Sequence, residues 1–377
     1  MLKNKFVLLR QVLTVMLSAW LAIAVHLPAR SQSDGVELSL EAQRLYHSGQ
    51  LASAVQAWES AAAAFEAQGD RQSLNKSLIN QSQVLQDLGL YPRACNTLLK
   101  ALEVKHPACS ETQVEALIEQ LAQQPRITLV QGISLRSLGS ILHKQGRLSL
   151  SQKILQLSIQ ATQNSPEFPT TLLAMGNVQQ ALGNRVRDRW SYDRITEIID
   201  RQGVNSALSP YLAAFKTYQA VALKTKPLPK IQAQLNHLSL LIEIEAWWQQ
   251  QTQRRVQSWQ RLAQTSRVQA ADRFSALLIS KIAKGKEELI KQVATNLPQL
   301  PASRQTVYAQ INYAKSLSTL NKTAEAQAIL QQTLRQAQEI KDPFGESYAL
   351  GYLGQNYGQQ GQISQAIALT NQALSLT

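Results

Sequence analysis

Two cysteines, five histidines and a belt of arginines and tryptophans are the residues of this 377-residue chain with chemistry to offer. Cys95 begins a predicted helix running to about Val104, and Pro107 lies in the return to Cys109. That helix advances roughly 14 Å, and the five residues after it reach back roughly 17 Å when extended. A Cys95–Cys109 disulfide is therefore feasible but tight, with two buried thiols as the alternative. A nucleophilic thiol needs a base, and the nearby His106 reads as a solvated loop side chain. Of His26, His47, His106, His143 and His237, the first falls in the N-terminal leader, and no two of the rest share metal-ligand spacing. No glycine-rich phosphate loop follows a strand, and no serine elbow is present. Glu243 and Glu245 are two apart on a helix and point in different directions, while Glu287 and Glu288 near Lys284 and Lys286 read as a solvated face. No catalytic residue, cofactor or metal is expected.

The belt is the second feature. Arg185, Arg187, Arg189 and Arg194 flank Trp190 and Tyr192, and Arg254, Arg255, Arg261 and Arg267 flank Trp247, Trp248 and Trp259. The formal charge is +13. Most of the excess sits in residues 216–292, with 13 Lys/Arg against five Asp/Glu. Two readings stand: core tryptophans with solvated arginines on the opposite helix face, or a binder of anionic envelope polymer across 185–291. Nucleic acid is not expected, because the chain begins with an export address.

That address is residues 1–31. Lys3, Lys5 and Arg10 precede an apolar run from Val12 to Val25, then Pro28-Ala29-Arg30-Ser31. Small residues at Ala29 and Ser31 suit a signal-peptidase site. Fourteen apolar residues span about 21 Å as a helix, short of a ~30 Å bilayer core. Cleavage leaves no membrane span, and the expected location is periplasmic or extracellular. An uncleaved anchor is the alternative.

The elements that position all these residues are helices. Gly and Pro together are 28 residues, about 7% where roughly 12% is usual. Gln alone occurs 49 times. Few helix breakers beside abundant Ala, Leu and Gln give an all-α protein. A pattern of about 34 residues recurs. It is clearest in Leu350, Leu353, Gly354 and Tyr357, then Gly361, then Ala366 and Ala373. The same offsets hold Ala42, Leu45, Gly49, Ala54, Trp58 and Ala61, then Leu78, Leu85, Gly89, Ala94, Leu98 and Ala101. A third copy runs through Leu135, Leu138, Gly139, Leu142, Gly146, Leu155 and Ser158, with Ser151 where Ala is expected. Leu172, Met175, Gly176 and Gly183 form a weaker copy, with Asp188 and Ile195 at its small-residue positions, and Ala314, Leu317, Asn321, Ala326 and Leu330 another. Turns are predicted at 49, 89, 146, 183, 321 and 361.

The pattern resembles the tetratricopeptide repeat, which implies a right-handed α-α superhelix of antiparallel helix pairs. Residues 89–99, residues 300–312 and the segment from Ser347 to Leu376 are similar to the repeat region of cyanobacterial CHAT-domain proteins, whose caspase-like domain is absent here. The expected organisation is a signal peptide at 1–31, repeats at 32–202, degenerate helical pairs continuing the solenoid at 203–304 (with a separate small helical domain as the alternative), and C-terminal repeats at 305–377. The last helix would leave Ile367, Leu369, Leu374 and Leu376 facing nothing, as in a chain cut before its natural end or covered by a partner or a second copy.

Tetratricopeptide arrays bind extended peptides along their first helices. The matching inward positions are Gln43, Tyr46, Lys76, Gln83, Gln86, Arg136, Ser140, His143, Lys144, Asn177, Gln180, Tyr308, Lys315, Tyr348 and Gln355. The set is rich in amides and cations and holds no carboxylate. The expectation is a non-catalytic scaffold binding an extended, neutral-to-acidic segment of a protein partner, with ordinary polar surface as the plain alternative. Two rival functions are the regulatory half of a split caspase-like CHAT protease and the anionic-polymer binder.

Overall fold

The computed structural model describes residues 32–189, 209–224, 227–259 and 266–376, without the side chains of 32, 33, 224 and 251–279. The leader, Trp190, Tyr192, Arg194, Ile195 and Arg261 lie outside the described residues.

All the regular structure among the described residues is helical. Helices α1 (Gln32–His47), α2 (Leu51–Gln68), α3 (Arg71–Asp87) and α4 (Tyr91–Ala101) form two pairs. After α5 (Glu111–Ala122) come α6 (Leu129–Lys144), α7 (Leu148–Thr162) and α8 (Phe168–Arg189). Then follow α9 (Ser209–Lys224), α10 (Pro227–Trp259) and α11 (Ser266–Asn296). The last two pairs are α12 (Arg304–Thr319) with α13 (Thr323–Glu339), and α14 (Pro343–Gln359) with α15 (Ile363–Leu374). Most consecutive helices pack on one another, while α5 packs on α7 and α12 on α10, which makes the chain an all-α solenoid.

The turns inside pairs share one construction. At Gly49, Gly89, Gly146, Asn321 and Gly361 φ is positive. In each, the next residue's N–H reaches the carbonyl five residues back, as Gln50 does to Leu45 and Arg147 to Leu142. This is the helix stop that demands a left-handed residue. Gly69 and Lys341 build the same stop between pairs. Gly183 does not turn the chain. It lies inside α8, buried, where a Cβ would come within 2.5 Å of the Tyr211 ring. The glycine there serves close helix approach, and the predicted turn at 183 is corrected.

Small residues on the second helices have a visible task. Ala54, Ala94 and Ala326 are fully buried. Ser151 stands where Ala is expected, and its Oγ donates to the Gly139 carbonyl at 2.6 Å. Ser158 does the same to Gly132 at 2.6 Å. The hydroxyls thus gain buried acceptors at helix spacings only small residues allow.

Cys95, fully buried on α4, is joined to Cys109 by a disulfide with Cα atoms 5.7 Å apart. Gln113 fixes the linking loop by accepting from the Ala108 N–H and donating to the His106 carbonyl. His106 itself is exposed. On α15, Ile367 and Leu374 are exposed as expected, together with Ile363. Leu369 differs: it is half-buried and packs against the core that holds Leu330 and Leu353.

Two stability tests follow from this core. Replacing both cysteines with Ala is expected to cost about 3 kcal/mol in urea unfolding, because the bond restrains the unfolded chain. The second test concerns His237, buried on α10 edge-on to the Phe215 ring at 4.3 Å, with an Nε2 that has no hydrogen-bond partner among the described residues. Burial pushes its pKa from 6.5 down to about 4. Between these values the unfolded chain holds the extra proton. Stability should therefore be complete above pH 6.5 and fall as pH drops towards 4. His237→Leu should flatten that slope in urea titrations at stepped pH.

Candidate functional site

The two ends of the solenoid meet. Gly49, at the turn after α1, lies so close to the start of α14 that a Cβ on it would come within 2.6 Å of Pro343 Cγ. Phe344 packs against the hydrophobic cluster built mainly from α1 to α7. A half-open cavity of about 920 Å³ lies where the ends come together. Its walls come from α1, α2, α3, α4 and α6 on one side and α10, α12 and α14 on the other.

Arg304 joins the two sides. Ser303 caps α12 by accepting from the Thr306 N–H at 3.2 Å, and Thr306 Oγ1 donates to the Pro301 carbonyl at 2.7 Å. That fixed first turn aims Arg304 into the seam. Its guanidinium carbon lies 4.7 Å from the Tyr46 ring centre, 5.6 Å from Tyr308 and 5.7 Å from Phe344. Its Nε is 3.6 Å from Asp342 Oδ1, and both side chains are largely buried. Burial works against the Arg304 charge. The Tyr308 hydrogen bond and the fields of Tyr46, Tyr308 and Asp342 outweigh it, so the pKa is raised. Gly345 leaves room for this carboxylate, since a Cβ would fall 2.6 Å from Asp342 Oδ2 and 2.7 Å from Val307.

The remaining charges of the cavity are also engaged. Tyr46 Oη donates to Asp87 at 2.7 Å, and Gln83 Nε2 donates to the other oxygen at 3.0 Å. Burial, then the Asp87 charge, push the Tyr46 phenol well above its ordinary pKa. Lys144 Nζ lies 5.4 Å from the centre of the Tyr91 ring. Tyr308 and the exposed Tyr348 meet edge to face at 5.9 Å.

Six residues from the sequence-derived groove line this cavity: Tyr46, Gln83, Gln86, Lys144, Tyr308 and Tyr348. The others do not. Gln43, Lys76, Lys315 and Gln355 are exposed elsewhere. Arg136 is bound to Glu167 at 2.6 Å, and Ser140 donates back to the Arg136 carbonyl. His143 is half-buried, and burial, then Lys144, lower its pKa. Asn177 accepts from Tyr218 Oη and Asn236 Nδ2, each at 2.9 Å. Gln180 accepts from Tyr218 Oη at 3.0 Å and donates to Glu243 at 3.0 Å. These two form a bonded platform behind the cavity wall. The expectation of a groove without carboxylates is corrected by Asp87 and Asp342. Sequence reasoning also missed Arg304, Phe344, Gln305, Asn312, Gln232 and Asn236. Helical spacing on α12 would have found Gln305 and Asn312 beside Tyr308.

Elsewhere in the belt, Arg185 donates to the Gly146 carbonyl at 2.6 Å, Arg187 pairs with Asp188 at 2.9 Å, and Lys286 pairs with Glu245. Trp248 is buried. The side chains of Arg254, Arg255, Trp259 and Arg267 lie outside the described set. Among the described residues no three His, Cys, Asp or Glu cluster to hold a metal, and no helix is long and apolar enough to cross a membrane.

No protein-family model matches the chain, and no curated protein matches it. Solved helical-repeat structures align over 91% of it. The complex of the TPR2AB domain of yeast Sti1 with pHSP90 is 15% identical, with 99% of that chain covered and a TM-score of 0.31. The P58(IPK) TPR domain is 15% identical, with 93% covered and a TM-score of 0.28. Yeast Tom70 is 10% identical, with 92% covered and a TM-score of 0.21. Scores this low carry no argument, so the fold rests on the packing described above.

Arg304→Ala would leave Asp342 as a buried carboxylate without its cation. The expected cost is about 3 kcal/mol in urea unfolding. Adding Asp342→Asn should return part of that loss. Equal losses in the single and double variants would deny the coupling.

Proposed function

We propose that the chain is an exported, non-catalytic scaffold that holds an extended polypeptide segment of a protein partner in the cavity where its ends meet. The observation that carries this reading is the lining: tyrosines and side-chain amides from both ends of the solenoid face one shared cavity. Amides offer a donor and an acceptor together, which matches a peptide backbone. Tyrosine faces supply rigid contact area at low entropic cost. No paired nucleophile and base lines the cavity. Its one histidine is His47, and the Ser303 hydroxyl is occupied in capping α12. Export is supported by the basic, apolar, small-residue pattern of residues 1–31 and by a disulfide suited to an oxidising compartment.

The test places a photo-reactive phenylalanine at Tyr348, on the cavity wall, or at Leu223, an exposed site outside it. Residues 32–377 carrying either are exposed to exported proteins, and crosslinks are mapped by mass spectrometry. A caspase-like domain, suggested by sequence resemblance alone, is one defined protein to include. Crosslinks from position 348 confined to one extended stretch of a partner are expected. Crosslinks from position 223 alone would contradict the reading.

A further inference from the structure

We infer that the cavity selects an uncharged, proline-containing internal stretch of its partner, and neither an acidic segment nor a chain end. This rests on the reading of the cavity as a polypeptide site.

The charges come first. Two carboxylates, Asp87 and Asp342, face two cations, Lys144 and Arg304, so these formal charges cancel. Arg304 is held by Asp342 and enclosed by three rings. Asp87 already accepts from Tyr46 and Gln83. Recognition of a terminal carboxylate or an acidic run would draw on free cations. Here it would have to break the Arg304 pair or rely on Lys144, which lies on the Tyr91 ring.

What stands open is different. The side-chain amides of Gln305 and Asn312 are exposed on the α12 wall and enter no side-chain hydrogen bond among the described residues. Each can serve one backbone carbonyl and one backbone N–H at the same time. Beside them, Tyr348 exposes about half of its surface, edge-on to Tyr308. Flat aromatic walls with hydrogen-bonding groups between them suit a polyproline II stretch, whose rings pack on the aromatic faces while its carbonyls stay free.

Three pools of short fluorescein-labelled peptides test this on residues 32–377 by fluorescence anisotropy. One pool draws on Pro, Gly, Ser, Asn and Tyr with free C-termini. The second is the same pool amidated at the C-terminus. The third replaces Ser and Asn with Asp. The neutral pool should bind best, equally well when amidated, with little loss as salt rises. Gln305→Ala with Asn312→Ala should weaken it about tenfold through two lost hydrogen bonds, with melting unchanged. Tightest binding by the acidic pool, loss on amidation, or no effect of the double variant would overturn the inference and leave a polypeptide site standing. Failure of all three pools to bind would remove the polypeptide reading itself, and this inference with it.

Discussion

Arg304, clasped by Tyr46 and Phe344 and paired with Asp342, gives this solenoid an inside. Helical-repeat proteins are normally bound repeat to neighbouring repeat, with little linking distant parts of the chain. Here a side chain at the start of α12 touches the end of α1 and the start of α14. The row of pairs bends back until its first and last members share one cavity. Without that contact the same lining residues would lie along an open groove in full contact with water.

The repeating elements were legible in the sequence because their causes are local. A helix stop of the kind at Gly49 or Gly146 needs a left-handed residue, and glycine or asparagine marks it. Gly183 misled for a physical reason. Glycine also appears where two helices approach too closely for a Cβ, and spacing alone does not separate the two uses. Lys341 was invisible for the converse reason, since a non-glycine residue took the left-handed turn.

The site was only partly legible. Motif offsets led to Tyr46, Gln83, Gln86, Lys144, Tyr308 and Tyr348, which lie on the cavity-facing sides of α1, α3, α6, α12 and α14. They did not lead to Arg304 or Asp342, because closure is a contact between residues some three hundred positions apart for which periodicity has no signal. Offsets failed on α10 as well, where the repeat pattern is lost but Gln232 and Asn236 still face the cavity. Net charge was no better a guide. The chain's +13 is dominated by residues 1–31 and 216–292, while the cavity's formal charges cancel. Behind its wall, Asn177, Gln180, Tyr218 and Glu243 are bonded to one another, so amides read as ligand contacts instead brace the helices that carry the lining.

Closure is tested most directly by a crosslink across the seam. Ser48 and Lys341 are both exposed and flank the Gly49–Pro343 contact. With cysteines at both positions and the native disulfide intact, a short bismaleimide should join them in folded protein and fail to do so in urea. The product should migrate as a looped species on a denaturing gel. A control pair spanning α1 and α3 that reacts while the seam pair stays unlinked would contradict a closed solenoid, and with it the shared cavity.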